Sequence, residues 1–355
     1  MRIFQLALEQ LVERFAVEHA NVGQERLGEV ISTALKSQTP SIARKLLDTL
    51  KAKAPEMLRE HRELDAGFRE RNFRRWREGF DLLEMLIVLA EESGSDFNTE
   101  FRPQAVQENN LVFEAVCGLH ARAVLIAREV LCLLEGGFAD GALARWRSVH
   151  EIAVVTGFLS ERDNQLAERY LLAREAQAYK AIIEYQTNLP RTGLDPFTEK
   201  EIQQATGLRD RLVQKYGAAI QRDYGWAAEA LGNKNPTFRN LEQAVGLDHL
   251  RPYFRWASEH VHAGHKPHAT LLGNSESVQS VLLAGQSNSG LTEPAIQTAL
   301  SLTQATAAFL LLQCNFDHLV ISQVLLDLVG ELQETFSRVE RETLGRARAS
   351  ANTDA

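Results

Sequence analysis

Residues 142–159, ALARWRSVHEIAVVTGFL, place apolar side chains at helical spacing, and from Ile152 onward the stretch is apolar on every side. A helix of that profile belongs in the centre of a bundle, with Asp140 positioned to cap it. Working outward, the spacing stays at threes and fours. A helix from about residue 103 carries Leu111, Val112, Ala115, Val116, Leu119, Val124, Leu125 and Leu131 and stops at Gly136 and Gly137. Further helices run over about 164–188, 199–223 and 293–344, with turns at 190–196 and 232–236. Almost no segment alternates as a half-buried strand would. The fold class is all-α, a multi-helix bundle with a helical N-terminal extension.

The extension reads as two short amphipathic helices, broken at Gln38-Thr39-Pro40-Ser41 with Ser41 capping the second of them. A further unit over 55–92 sets Phe73, Trp76, Phe80, Leu83 and Ile87 on one face, and Ser93-Gly94-Ser95-Asp96-Phe97-Asn98 ends it. A shift from Lys/Arg-rich to apolar helices gives three regions: an N-terminal helical region over 1–100, a bundle over 101–345, and a tail over 346–355, RARASANTDA, with the composition of disorder.

With 355 residues and 45% hydrophobic content, the chain needs no staple to fold. Cys117, Cys132 and Cys314 sit in apolar helical sequence without CxxC spacing, which suggests buried, reduced thiols. Glu9, Glu13 and Glu18 interrupt the N-terminus, and the apolar run 305–312 is too short to span a bilayer. A cytoplasmic protein with no membrane partner is expected. The net charge of −8 argues against general coating of nucleic acid, yet RERNFRRWR at 69–77 sets five arginines against one glutamate. Arg71, Arg74, Arg75 and Arg77 are either a solvated helix face or a contact for RNA.

Two segments concentrate groups capable of chemistry. On the central helix Arg147, His150 and Glu151 share a face with Leu143 and Val154. Either Arg147 and Glu151 form an ion pair that fixes helix docking, or the three line a pocket for an anionic substrate. The second segment, HLRPYFRWASEHVHAGHKPH at 249–268, holds half of the ten histidines. With Asp248 as cap, a helix over about 251–263 would align Arg255, Ser258, Glu259 and His262, with His260 pointing elsewhere. An arginine and a histidine so placed suit metal-independent RNA cleavage, the histidine moving a proton and the arginine stabilising developing charge. A divalent metal on His260, His262, His265 and His268 is disfavoured, because His260 and His262 diverge by about 200° on a helix. No metal or cofactor is expected. The Arg-x4-His spacing also occurs at Arg14–His19 and Arg145–His150, so it carries little weight alone.

The blocks at 121–159 and 166–182, together with GLDHLRPYFRWASEHVHAG at 246–264, resemble the uncharacterised bacterial helical family DUF5677. The features shared are the glycine turn before Arg147, Ser148 and Glu151, and the Tyr253, Ser258, His262 element. The likeness covers about 105–270 and implies a fold and a pocket rather than a reaction. The pairing of an Arg/Glu helix with an Arg…His helix end is also similar to the HEPN superfamily, many of whose members are RNases in toxin–antitoxin and anti-phage systems. Trp256 departs from the polar residue usual in active members. The resemblance implies a defence or toxin-type effector, an endoribonuclease with Arg255 and His262 reacting, Arg147 and Glu151 orienting them, and Ser258 and His260 beside them. The alternative is a non-catalytic scaffold that forms a homodimer through its C-terminal helix or recruits a partner.

Overall fold

The computed structural model describes Val17 and residues 24–262, 264, 267–277 and 281–353. The described residues form nine α-helices and no strand: α1 Gln24–Gln107, α2 Leu111–Glu135, α3 Ala139–Ser160, α4 Asn164–Thr192, α5 Glu199–Tyr216, α6 Phe238–Ala244, α7 Arg251–Glu259, α8 Thr292–Leu310 and α9 Phe316–Thr353. They fall into two compact units, Met1–Phe68 and Arg69–Ala355. In the second unit α3 packs against α2, α7 and α8, and α9 packs against α8.

Neither break expected in the N-terminal third is present, because α1 runs unbroken from Gln24 to Gln107. Ser41 lies inside that helix instead of at its start, and 93–98 is helical. There Ser93 returns its hydroxyl to the Leu89 carbonyl at 2.6 Å. Gly94 makes room for a ring: a Cβ on it would lie 2.2 Å from the His120 imidazole. Phe97 is buried between Phe113 and Phe309, with centroids at 6.0 and 4.7 Å. Long-range packing thus holds helical a stretch whose composition locally favours a turn. The true end comes at Asn109, with φ +50°, and Asn110, whose side chain accepts from the Phe113 amide at 2.9 Å.

The same packing explains why the second unit begins at Arg69, upstream of the boundary near residue 100 that composition suggested. Trp76, Phe80, Leu83, Leu86 and Ile87 are all buried. Trp76 stacks on Phe336 of α9 at 5.3 Å, and a Cβ on Gly79 would come within 2.5 Å of the same ring. Helix α9 continues to Thr353, through most of the tail expected to be disordered.

Helix α3 is the buried centre that its sequence promised, with Val149, Ile152, Ala153, Val154, Val155, Phe158 and Leu159 all in the core. Asp140, however, does not cap it. The N-cap is Phe138, and Asp140 accepts from the Leu272 and Gly273 amides at 2.9 and 3.1 Å, tying a distant loop to the start of α3. The apolar run 305–312 belongs to a longer stretch: Thr292–Gln313, which is α8 with the 3-10 turn after it, is long and apolar enough to cross a bilayer, and 61% of its most apolar part is buried inside the protein. It buries Thr298, Ser301, Thr303 and Thr306, and Ser301 accepts from the Trp146 indole at 3.0 Å. Cys132 and Cys314 are exposed and Cys117 half-buried, not the buried thiols expected; all three are free.

Candidate polar site at the centre of the bundle

Helix α7 lies along α3, and its inner face is set by Phe254 and Ala257, both buried. Phe254 organises the site. Its ring lies 4.6 Å from the Arg147 guanidinium carbon and 5.2 Å from that of Arg251, and packs on Phe238 at 4.7 Å. Behind it His150, fully buried, touches Trp146, Phe238 and Phe254 with centroids at 5.4, 5.8 and 5.7 Å.

The charges are paired across elements. Glu242, on α6 and fully buried, meets His150 Nε2 at 3.1 Å and Arg251 Nη1 at 2.9 Å. The second contact is an ion pair at close range rather than an aligned hydrogen bond. Glu151 accepts from the Tyr224 hydroxyl at 2.5 Å. Burial, then the neighbouring carboxylate, raise the Tyr224 pKa, so the phenol stays protonated and keeps donating. Tyr224 is held by a tight turn at Gly225, where a Cβ would sit 1.6 Å from the Ala219 carbonyl oxygen.

The ion pair between Arg147 and Glu151 that the α3 spacing allowed is not formed. Glu151 turns to Tyr224 and Arg147 to the face of Phe254, leaving Arg147 Nε buried with no hydrogen-bond partner among the described residues. Arg147 and Glu151 therefore share one cluster with four residues that sequence reasoning passed over: Tyr224, Glu242, Arg251 and Phe254. One signal was legible, since Glu242 interrupts the apolar stripe of Phe238, Leu241 and Val245, a position where a carboxylate must find a partner.

The rest of the expected site lies elsewhere. Helix α7 begins without a side-chain cap from Asp248 and ends at Glu259, so His262 falls beyond it instead of on its stripe. Arg255 and His262 are exposed, and no hydrogen bond, ion pair or ring contact joins either to Arg147 or Glu151 among the described residues. Ser258 donates to the Phe254 carbonyl at 2.7 Å, within its own helix. His260 Nδ1 meets Asp140 Oδ1 at 3.1 Å. Burial pushes the Asp140 pKa up, but the imidazole and two backbone amides outweigh it and hold the carboxyl below its ordinary value. Because Asp140 and Glu151 are separated by three turns of α3, roughly 16 Å along its axis, the His260 end of α7 and the Glu151 cluster cannot act on one reacting atom.

Among the described residues no group of three or more His, Cys, Asp or Glu could hold a metal, and His265 lies outside them. In the arginine-rich stretch, Arg75 forms a two-pronged bond with Glu276 at 2.5 and 3.0 Å while lying 4.7 Å over Trp76. Arg74 pairs with Glu70 at 2.6 Å and Arg77 with Asp81 at 3.6 Å, and Arg71 is exposed.

No curated protein and no solved structure matches the chain significantly. Residues 113–277, a span that contains every member of the Phe254 cluster, match the profile of a family of unknown function, DUF5677.

Proposed function

We propose that this protein acts by binding another protein through its surface, as a helical scaffold, and that its central polar cluster is architecture. The observation that carries this reading is that the carboxylates of the cluster meet partners inside the protein, Glu242 in His150 and Arg251 and Glu151 in Tyr224, while Arg147 rests on the Phe254 ring with its Nε unbonded. Buried charges paired in this way fix how α3, α6 and α7 dock and leave little for a substrate.

The surface best suited to a partner is a groove of about 520 Å³ between α1 and α9, floored by Met85, Val88, Leu89, Val324 and Leu328 and rimmed by Asp81, Glu84 and Glu92. Phe316, 77% exposed, with Leu319 and Val320 prolongs the apolar face along α9. A homodimer through this face would set the acidic rim against its own copy, whereas an amphipathic helix with basic flanks meets it with opposite charge. The test is titration with a fluorescent amphipathic peptide helix flanked by lysines. Met85→Asp and Val324→Asp are expected to weaken binding by about tenfold or more, from the apolar contact each removes. Equal binding of a glutamate-flanked control, or no effect of either variant, refutes the assignment.

The HEPN-like reading, metal-independent RNA cleavage in a defence or toxin role, has one observation in its favour: Arg255 and His262 are both open to solvent. If purified protein cuts RNA and Arg255→Ala or His262→Ala abolishes the cut, that reading displaces the scaffold.

A further inference from the structure

In the first compact unit the apolar side chains of α1 face solvent. From residue 41 to residue 64 nearly every side chain is exposed, including Leu47, Leu50, Met57 and, at 71%, Leu64. Most helical stability in proteins comes from packing an apolar face, and here that face meets water. On the continuous helix one line of residues, Ala43, Leu47, Leu50, Ala54, Met57, His61, Leu64 and Phe68, succeeds at alternating steps of four and three, with the exposed Leu46 and Leu58 flanking it and Ile42 off it. That is the 3.5-residue period of a left-handed coiled coil, sustained over roughly 39 Å of helix. His61 is its only polar member.

We infer that this seam pairs with the same seam of a second copy of the chain, in antiparallel orientation. It reads alike in both directions about its midpoint. Antiparallel pairing sets Ala43 against Phe68, Leu47 against Leu64, Leu50 against His61 and Ala54 against Met57, so that small residues face large ones at both ends and at the middle. Parallel pairing would instead stack Ala54 on Ala54 and Phe68 on Phe68, alternating voids with crowding. The flanking charges agree. In the antiparallel pair Lys53 lies beside Glu60 and Arg44 beside Asp65 of the partner copy, both attractive; in the parallel pair Glu60 would oppose Asp65. Pro55, whose missing amide leaves the Lys51 carbonyl without its helical partner, falls at a heptad position outside the seam. The seam shares no residue with the α1–α9 groove, so substitutions in one leave the other's side chains unaltered.

Sedimentation equilibrium of the full chain at micromolar concentrations tests the inference. The unaltered protein is expected to be a dimer, and the double variant Leu50→Lys with Leu64→Lys a monomer whose far-ultraviolet spectrum and groove-peptide affinity are retained. Orientation is read by charge: E60K sets two symmetry-related lysine pairs together and weakens the dimer roughly fivefold to tenfold, and K53E combined with E60K restores it. A monomeric unaltered chain, or a dimer that survives the leucine substitutions, overturns the coiled coil. Tightening by E60K overturns the antiparallel arrangement.

Discussion

Replacing Glu242 by Gln probes whether the central cluster is a lock. The carboxylate has no exposed surface and two partners, His150 Nε2 at 3.1 Å and Arg251 Nη1 at 2.9 Å. Glutamine keeps the shape and one acceptor oxygen, but turns an N–H group toward a partner that also donates. Removing one member of a buried pair costs about 3–5 kcal/mol. Arg251 is 28% exposed and regains some hydration, which brings the expectation down to about 2–3 kcal/mol. Arg251→Met strands the carboxylate itself, fully buried, and should cost about 3–4 kcal/mol. The double variant Glu242→Leu with Arg251→Met removes both charges and should recover about 2 kcal/mol of the summed single losses. Urea unfolding followed by circular dichroism measures all of these, and groove-peptide affinity is measured in parallel. The lock is refuted if Glu242→Gln costs less than about 1 kcal/mol, or if the double variant loses as much as Glu242→Leu and Arg251→Met summed.

Two further outcomes concern buried groups away from the cluster. His120 donates from Nε2 to Thr306 Oγ1 at 3.1 Å, since that hydroxyl gives its own proton to the Leu302 carbonyl, and burial lowers its pKa from 6.5 to about 4. A depressed histidine stabilises the fold fully above the unfolded value of 6.5 and loses that contribution as pH falls toward 4, so stability should drop by about 2 kcal/mol between pH 6.5 and 5. His120→Gln should flatten this part of the urea-midpoint profile, and an unchanged slope would assign the loss to other groups. The second concerns Arg75, whose two-pronged bond to Glu276 lies in a nearly buried setting, 12% and 13% exposed. Arg75→Lys should lower stability by about 1–2 kcal/mol and Arg75→Ala by about 3 kcal/mol without changing RNA affinity; weaker RNA binding at unchanged stability would make it a nucleic-acid contact.

The all-α architecture was legible because its cause is local. The second half of α3, apolar all round, has no stable place but a bundle centre, and Ile152, Val154, Val155 and Phe158 lie there. Helix ends were less legible, because turn-forming composition at 93–98 yields to Phe97 in the core and to the His120 ring over Gly94, partners more than fifteen residues away. The polar group on α3 was also visible, since Arg147, His150 and Glu151 share a face wherever the chain goes next. Glu242 stood out in its apolar stripe, but that it, Tyr224 and Arg251 are the partners of this group was not visible, because they reach it only through the tertiary fold.

The reading of α7 shows where periodicity decides and where it misleads. A stripe through Arg255, Ser258 and His262 looked functional because it collected a cation, a hydroxyl and an imidazole. Leu250, Phe254 and Ala257 are the apolar residues at helical spacing, however, and they must take the inner face. On a helix turning about 100° per residue, that choice turns Arg255 outward and leaves Arg251 at the edge of the inner face, where it meets Glu242. Helix α7 then stops at Glu259, so nothing holds His262 in register with Arg255. The long helix of the first unit is the converse case. There Leu47, Leu50, Met57 and Leu64 at helical spacing face solvent, and a period of 3.5 instead of 3.6 is the mark of a helix that pairs with another helix.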